Sequence, residues 1–135
     1  MIGFIVVTHN RIGSEMVQAV EEILQGKSPL KSVSVSHGSA PGEVVKKVES
    51  ALAELQNCHG VVILADLPGA TPVNLCRRFL TVKNIEMVTG INLPILIKAA
   101  STNFTESPSE VARFLINYGK DNISRFPAEN PSVDS

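Results

Sequence analysis

Residues 60–74 read GVVILADLPGATPVN. Gly60 to Ala65 is the most apolar run of the chain, and its β-branched centre suits a strand covered on both faces. Asp66-Leu67-Pro68-Gly69-Ala70 interrupts that run with polar, Gly/Pro-containing turn chemistry. Thr71 then reads as a helix N-cap with Pro72 at the first helical position, and Val73, Leu75, Cys76, Phe79 and Leu80 fall inside the helix.

The same alternation extends outward. Ile2 to Thr8 (IGFIVVT) is a short, nearly continuous apolar strand. From Gly13, the residues Met16, Val17, Val20, Ile23 and Leu24 recur at helical spacing until Gly26, a good stop. Leu30 to Ser36 (LKSVSVS) predicts a second strand, and Val44, Val45, Val48, Ala51, Leu52 and Leu55 mark one face of a helix beginning near Pro41. Downstream, Ile85 to Thr89 predicts a fourth strand. Leu93 to Ala100 is compatible with helix or strand, and Ser107-Pro108-Ser109-Glu110 has the form of a capping box opening a last helix to about Ile123. Strands alternating with helices imply an α/β fold: an open parallel β-sheet with helices on both faces, in one domain over residues 1–125. Period and composition leave the strand order open. Residues 126–135, rich in Pro, Ser and Asn, are expected to form a disordered tail.

The 135 residues suit one compact domain, and with 44% apolar residues and a mean hydropathy of +0.16 the chain can offset its conformational entropy. Twelve Lys and Arg against thirteen Asp and Glu give a net charge of −1 with no basic run, which argues against nucleic acid as a partner. The longest apolar stretch, around Val61 to Ala70, is broken by Asp66 and Pro68, so no membrane insertion is expected. The apolar N-terminus lacks the cationic leader and cleavage site of a secretory signal. Cys58 and Cys76 show neither metal-ligand spacing nor disulfide density, which makes the cytoplasm the expected compartment.

In a parallel sheet the carboxyl ends of all strands share one edge, and ligands bind there. Val7-Thr8-His9-Asn10 places an imidazole at that edge, and Leu64-Ala65-Asp66 places a carboxylate there. A 2-1-3 order would make the two strands neighbours and pair His9 with Asp66. Such a carboxylate fixes the tautomer, leaves the other ring nitrogen's lone pair free and stabilises the positive ring formed on attack at phosphorus or carbon. Gly69, Ala70 and Thr71 lead into a helix N-terminus, whose unpaired N–H groups favour an anion such as phosphate, and the Thr71 hydroxyl could donate to it. Against these stand plainer readings: Asp66 as a turn former, Thr71 as a cap, Gly69 as the supplier of a positive φ. His37 ends the second strand on the same edge, where a surface-loop role or a rim position is expected. His59 precedes the third strand on the opposite edge and reads as structural, so the histidines form no zinc constellation. Cys58 and Cys76 read as small apolar fillers. No nucleotide-binding fingerprint is present, so a phosphoryl group must come from something other than bound ATP.

At these residues the sequence resembles the enzyme IIA domain of the mannose family of the bacterial sugar phosphotransferase system. The matching segments are IGFIVVTHN at 2–10, VVILADLPGATPVN at 61–74 and VTGINLPIL at 88–96, and the likeness covers about residues 1–120. The resemblance implies a sheet of order 2-1-3-4, phosphorylation of His9 by the phosphocarrier HPr, transfer to a IIB histidine, Asp66 as the residue that orients His9, and Thr71 as the hydroxyl at the phosphate-binding helix start. It also implies a homodimer and no metal or cofactor. Asn10 stands where the family usually has Gly, and Leu67-Pro68 replace a common aromatic-Gly pair. No IIB-like sequence follows, so the acceptor is expected on a separate domain or protein.

Two further readings stand beside the phosphoryl relay. One is a regulatory module in which phosphorylation of His9 switches partner binding without moving sugar. The other, a histidine-dependent phosphomonoesterase, is disfavoured because such enzymes need Arg just before the histidine, and here the residue is Thr8.

Overall fold

The computed structural model of the chain describes residues 1–69, 71–81 and 84–126. The strands are β1 (Ile2–His9), β2 (Lys31–Val35), β3 (Gly60–Ala65) and β4 (Ile85–Val88), and the helices are α1 (Ile12–Leu24), α2 (Pro41–Glu54), α3 (Thr71–Cys76), α4 (Leu93–Ser101) and α5 (Pro108–Asp121). All three strand pairings are parallel and the order is β2-β1-β3-β4, which is the α/β sheet of order 2-1-3-4 expected above.

Side-chain alternation along the two central strands builds two cores. Phe4 and Val6 of β1 with Val62 and Leu64 of β3 face a layer that includes Val20, Ile95, Leu96 and Leu115, from α1, α4 and α5. Ile5, Val7, Val61 and Ile63 face the other way, toward Val44 and Val48 of α2 and Cys76 of α3. Burial on both faces explains why these strands read as unbroken apolar runs. Each fully buried Val, Ile or Leu contributes about 1.5–3 kcal/mol.

Two local details differ from the sequence reading, and a third answers what it left open between helix and strand. The left-handed residue ending α1 is Gln25 (φ 57°), not Gly26, whose N–H instead reaches the Glu21 carbonyl at 3.0 Å. The third helix already includes Thr71, so Thr71 is its first residue and not the cap before it, and after Cys76 the chain tightens into a 3-10 turn over Arg77–Thr81. In a 3-10 turn residues three apart eclipse, which brings Phe79 into the same core as Cys76; both are buried. Leu93–Ser101 is a helix. Asn92 caps it, accepting from the Ile95 N–H at 3.0 Å, and its amide donates to the Gly119 carbonyl of α5 at 3.1 Å. The expected tail lies outside the described residues, apart from the exposed Phe126. Among the described residues no helix is long and apolar enough to cross a membrane.

Candidate functional site

The site grows from the end of β1. Thr8 is fully buried, and its Oγ1 accepts the Gly13 N–H at 2.7 Å. The N-cap residue of α1, Arg11, makes no capping bond with its own side chain, so the strand lends the helix its cap. Gly13 is required for this approach, because a Cβ there would lie 2.8 Å from Thr8 Oγ1. Asn10 turns the chain between the two elements with φ 48° and donates its N–H to the Val35 carbonyl at 2.9 Å. This accounts for the departure from glycine: asparagine is among the non-glycine residues that best tolerate the left-handed region.

His9 is the last residue of β1, and Asp66 is the first beyond β3. Because Val7 pairs with Ala65 across the two strands, the register delivers both side chains to one edge. His9 Nδ1 lies 2.9 Å from Asp66 Oδ2, and the His9 backbone N–H donates to the same oxygen at 3.1 Å. Burial alone would push the Asp66 carboxyl up. The side-chain and backbone hydrogen bonds from His9, with its charge, outweigh that and hold the carboxyl below the ordinary aspartate value. An ionised carboxylate only accepts, so Nδ1 carries the hydrogen, and in the neutral ring Nε2 keeps its lone pair. The imidazole side chain is 40% exposed against 17% for the carboxylate, which puts the carboxylate inside and the imidazole outside.

Beside His9 opens a cleft of about 360 Å³, whose walls include Asn10, Ser36, His37, Ser39 and Thr71. Thus the structure brings His9, Asp66 and Thr71 to one edge, and sets His37 on the wall of the same cleft. Gly69 has φ 74°, as its turn role requires, and Ala70 lies outside the described residues. His59 sits on the opposite edge, where its N–H donates to the Met1 carbonyl at 3.0 Å and its Nε2 lies 2.6 Å from the Glu106 carbonyl. That is the structural role expected of it. Cys76 is buried and its thiol is pushed up to about 11, which makes it inert; Cys58 is half-buried. A larger groove of about 540 Å³ between β2 and α2 is lined by Lys31, Lys46, Lys47 and Glu54, and in it Lys31 Nζ lies 2.9 Å from Glu54 Oε1 as an exposed surface ion pair.

Sequence reading missed two helix caps, one of them at the site. Thr8 was visible only as a hydroxyl flanking His9, and nothing local shows that it caps the following helix. Asn92 carried a signal, since Asn ahead of Leu93-Pro94 is a cap followed by proline in the first turn.

Comparison with known proteins places this geometry in a family. Residues 3–116 match the family model described as the PTS system fructose IIA component, of the mannose-type IIA class. The chain is 22% identical over 131 residues to the mannose-specific EIIAB component of the phosphotransferase system of Escherichia coli K12, covering 95% of this chain and 40% of that protein. It therefore spans about two fifths of the length of that relative. It is 28% identical over 102 residues to the fructose-specific EIIA component of Bacillus subtilis 168, covering 75% of this chain and 70% of that one. The mannose/sorbose-specific IIA subunit of Enterococcus faecalis superimposes with a TM-score of 0.84 at 25% identity, over 95% of this chain and 96% of that chain. The EIIA component of Streptococcus agalactiae shares the fold, with a TM-score of 0.82 at 21% identity over 93% and 98% of the two chains. A family match that runs from the first strand into the last helix, on a sheet of the same architecture, makes this chain a member of the mannose-type IIA family of the bacterial sugar phosphotransferase system.

Proposed function

We propose that the protein is a histidine phosphoryl carrier: His9 accepts a phosphoryl group from phospho-HPr and passes it to a histidine of a IIB protein. The observation that carries this reading is the 2.9 Å contact between His9 Nδ1 and Asp66, which leaves Nε2 as the free nucleophile. In the transfer the Nε2 lone pair forms a bond to phosphorus as the donor's N–P bond breaks, and that electron pair returns to the donor imidazole. The His9 ring becomes positive, and the Asp66 carboxylate offsets the charge across the Nδ1–H hydrogen bond. Between two nitrogen nucleophiles the step needs chiefly positioning and stabilisation of the phosphoryl oxygens, so the scheme invokes no metal or cofactor. Thr71, on the cleft wall, is assigned the donor hydroxyl, with the backbone at Gly69 and Ala70 as its neighbours in the phosphate-binding turn. A cytoplasmic location and a homodimeric assembly belong to the same reading.

The test is incubation of the full chain with phospho-HPr carrying labelled phosphate. Wild type should take up acid-labile label and His9→Ala none; equal labelling of both rules out His9. Onward passage of the label to a IIB protein separates the relay from a regulatory module, which would keep it.

A further inference from the structure

The turn between β2 and α2 touches the same cleft as His9 and has no part in the chemistry described so far. We propose that this turn, Ser36–Ser39, is the second wall of the phosphoryl-binding site, with His37 donating a ring N–H to the phosphoryl oxygens carried on His9 Nε2. The proposal rests on the reading of His9 as the phosphoryl acceptor and names a further binding residue for that same group.

Strand register puts the turn there. His9 is the parallel partner of Val35, and the Asn10 N–H to Val35 carbonyl bond at 2.9 Å ties the two strand ends together, so the turn starts directly alongside His9. His9 also continues the alternation of Val7 toward the face that holds α2 and α3, which is the side on which the Ser36–Ser39 turn and Thr71 form the walls. The turn is internally braced. The Ser39 N–H reaches the Ser36 carbonyl at 3.0 Å, the Ser36 N–H reaches Ser39 Oγ at 3.0 Å, and Gly38 takes the left-handed conformation with φ 87°. Because Ser39 Oγ is already an acceptor there, its own hydrogen is free to donate.

His37 is exposed, and among the described residues no hydrogen bond ties down its ring. An imidazole carries one N–H when neutral and two when protonated, so it can donate to phosphoryl oxygens in either state. A phosphoryl group presents several strong acceptors and close to two negative charges. Asp66 approaches His9 at Nδ1, whereas the cleft opens beside the ring with His37 on its wall. The two contacts therefore do not compete: the carboxylate orients the acceptor and His37 meets the transferred group.

The equilibrium constant for phosphoryl exchange between HPr and this chain provides the test. Measured among the dissociated proteins, it reports the stability of phospho-His9 and is blind to how well HPr docks. Full-length wild type, His37→Ala, His37→Glu and His37→Lys are equilibrated with labelled phospho-HPr, and thermal melting checks that each is folded. The expected order of phospho-protein is Lys at or above wild type, then Ala lower by about three- to tenfold, then Glu lower still, as for an exposed charge-assisted hydrogen bond. An equilibrium constant unchanged across the series overturns the proposal. So does a change in labelling rate alone, which would make His37 a contact of the docking partner. Absence of label on wild type, or its persistence in His9→Ala, fails the carrier reading itself and is seen before any His37 variant is compared.

Discussion

Replacing Asp66 by Asn keeps the size of the side chain and removes its charge. Two donors, the His9 ring and the His9 backbone N–H, converge on Oδ2 at 2.9 and 3.1 Å, while Oδ1 is buried with no hydrogen-bond partner among the described residues. An asparagine has two ways to sit there. With its oxygen toward His9, its NH2 occupies the Oδ1 position as a buried donor lacking a partner among those residues. Turned over, it presents N–H to Nδ1, which forces the hydrogen onto Nε2 and removes the free lone pair. The first arrangement weakens a charge-assisted bond to a neutral one and gives up the compensation of the positive ring. Because His9 is 40% exposed, solvent screens part of that loss, and about 1–2 kcal/mol remains. Labelling by phospho-HPr should then slow by roughly 5- to 30-fold. The assay is a time course of label uptake under limiting phospho-HPr, with urea unfolding run in parallel. If folded Asp66→Asn takes label within twofold of the wild-type rate while His9→Ala takes none, the carboxylate does not serve the transfer.

Other expectations follow from the same contacts. The Asp66 carboxyl is held below its ordinary value in the folded protein, so its contribution to stability is present above the unfolded carboxyl range and is lost as pH falls through the folded value; the gap in urea stability between wild type and Asp66→Asn should therefore narrow as acidification passes below the ordinary aspartate range. Thr8→Val keeps the shape but leaves the buried Gly13 N–H without its acceptor, a loss of about 1–3 kcal/mol by urea unfolding; no loss would show that the 2.7 Å bond is replaceable. Gly119→Ala should destabilise by about 1–3 kcal/mol because the added methyl meets Ile95 Cδ1 and Cγ1, outweighing the roughly 1 kcal/mol that alanine gains by helix propensity; Ile95→Val in the same chain should recover part of it.

The sheet was legible because its central strands are buried on both faces and thus carry no polar interruption until the chain reaches the edge. His9 and Asp66 stood out for the same reason: each is the first ionisable side chain after such a run. Strand order was not in the periodicity. It follows from which faces the crossovers cover, a non-local matter that the family resemblance supplied and the pairing of β1 with both β2 and β3 bears out. Residues 93–100 were ambiguous because apolar side chains recur on nearly every position of a short helix half covered by two neighbours; only the Asn92 cap and Pro94 separate it from a strand. The cap on α1 was invisible because its hydroxyl comes from the preceding strand, across a turn whose geometry no spacing rule encodes.

The positions where this chain departs from its family's pattern lie where the chemistry can absorb them. Asn10 holds a left-handed φ of 48° that glycine would take without strain, and it still makes the backbone bond to Val35 that fixes the end of β1. What changes is that an exposed asparagine now stands on the wall of the cleft beside His9. Leu67, next to Asp66, is 55% exposed and leaves the His9–Asp66 contact intact. A group handed from one protein to another must be reachable from both, and here the imidazole stands at the end of a rigid strand with its anchoring carboxylate beneath it. Both substitutions alter the surface around that imidazole while the strand register and the single carboxylate oxygen that orient it are kept. Under the proposed carrier reading, substitutions at Asn10 and Leu67 would alter partner docking independently of phosphoryl acceptance at His9, because neither side chain makes a hydrogen bond to the ring among the described residues.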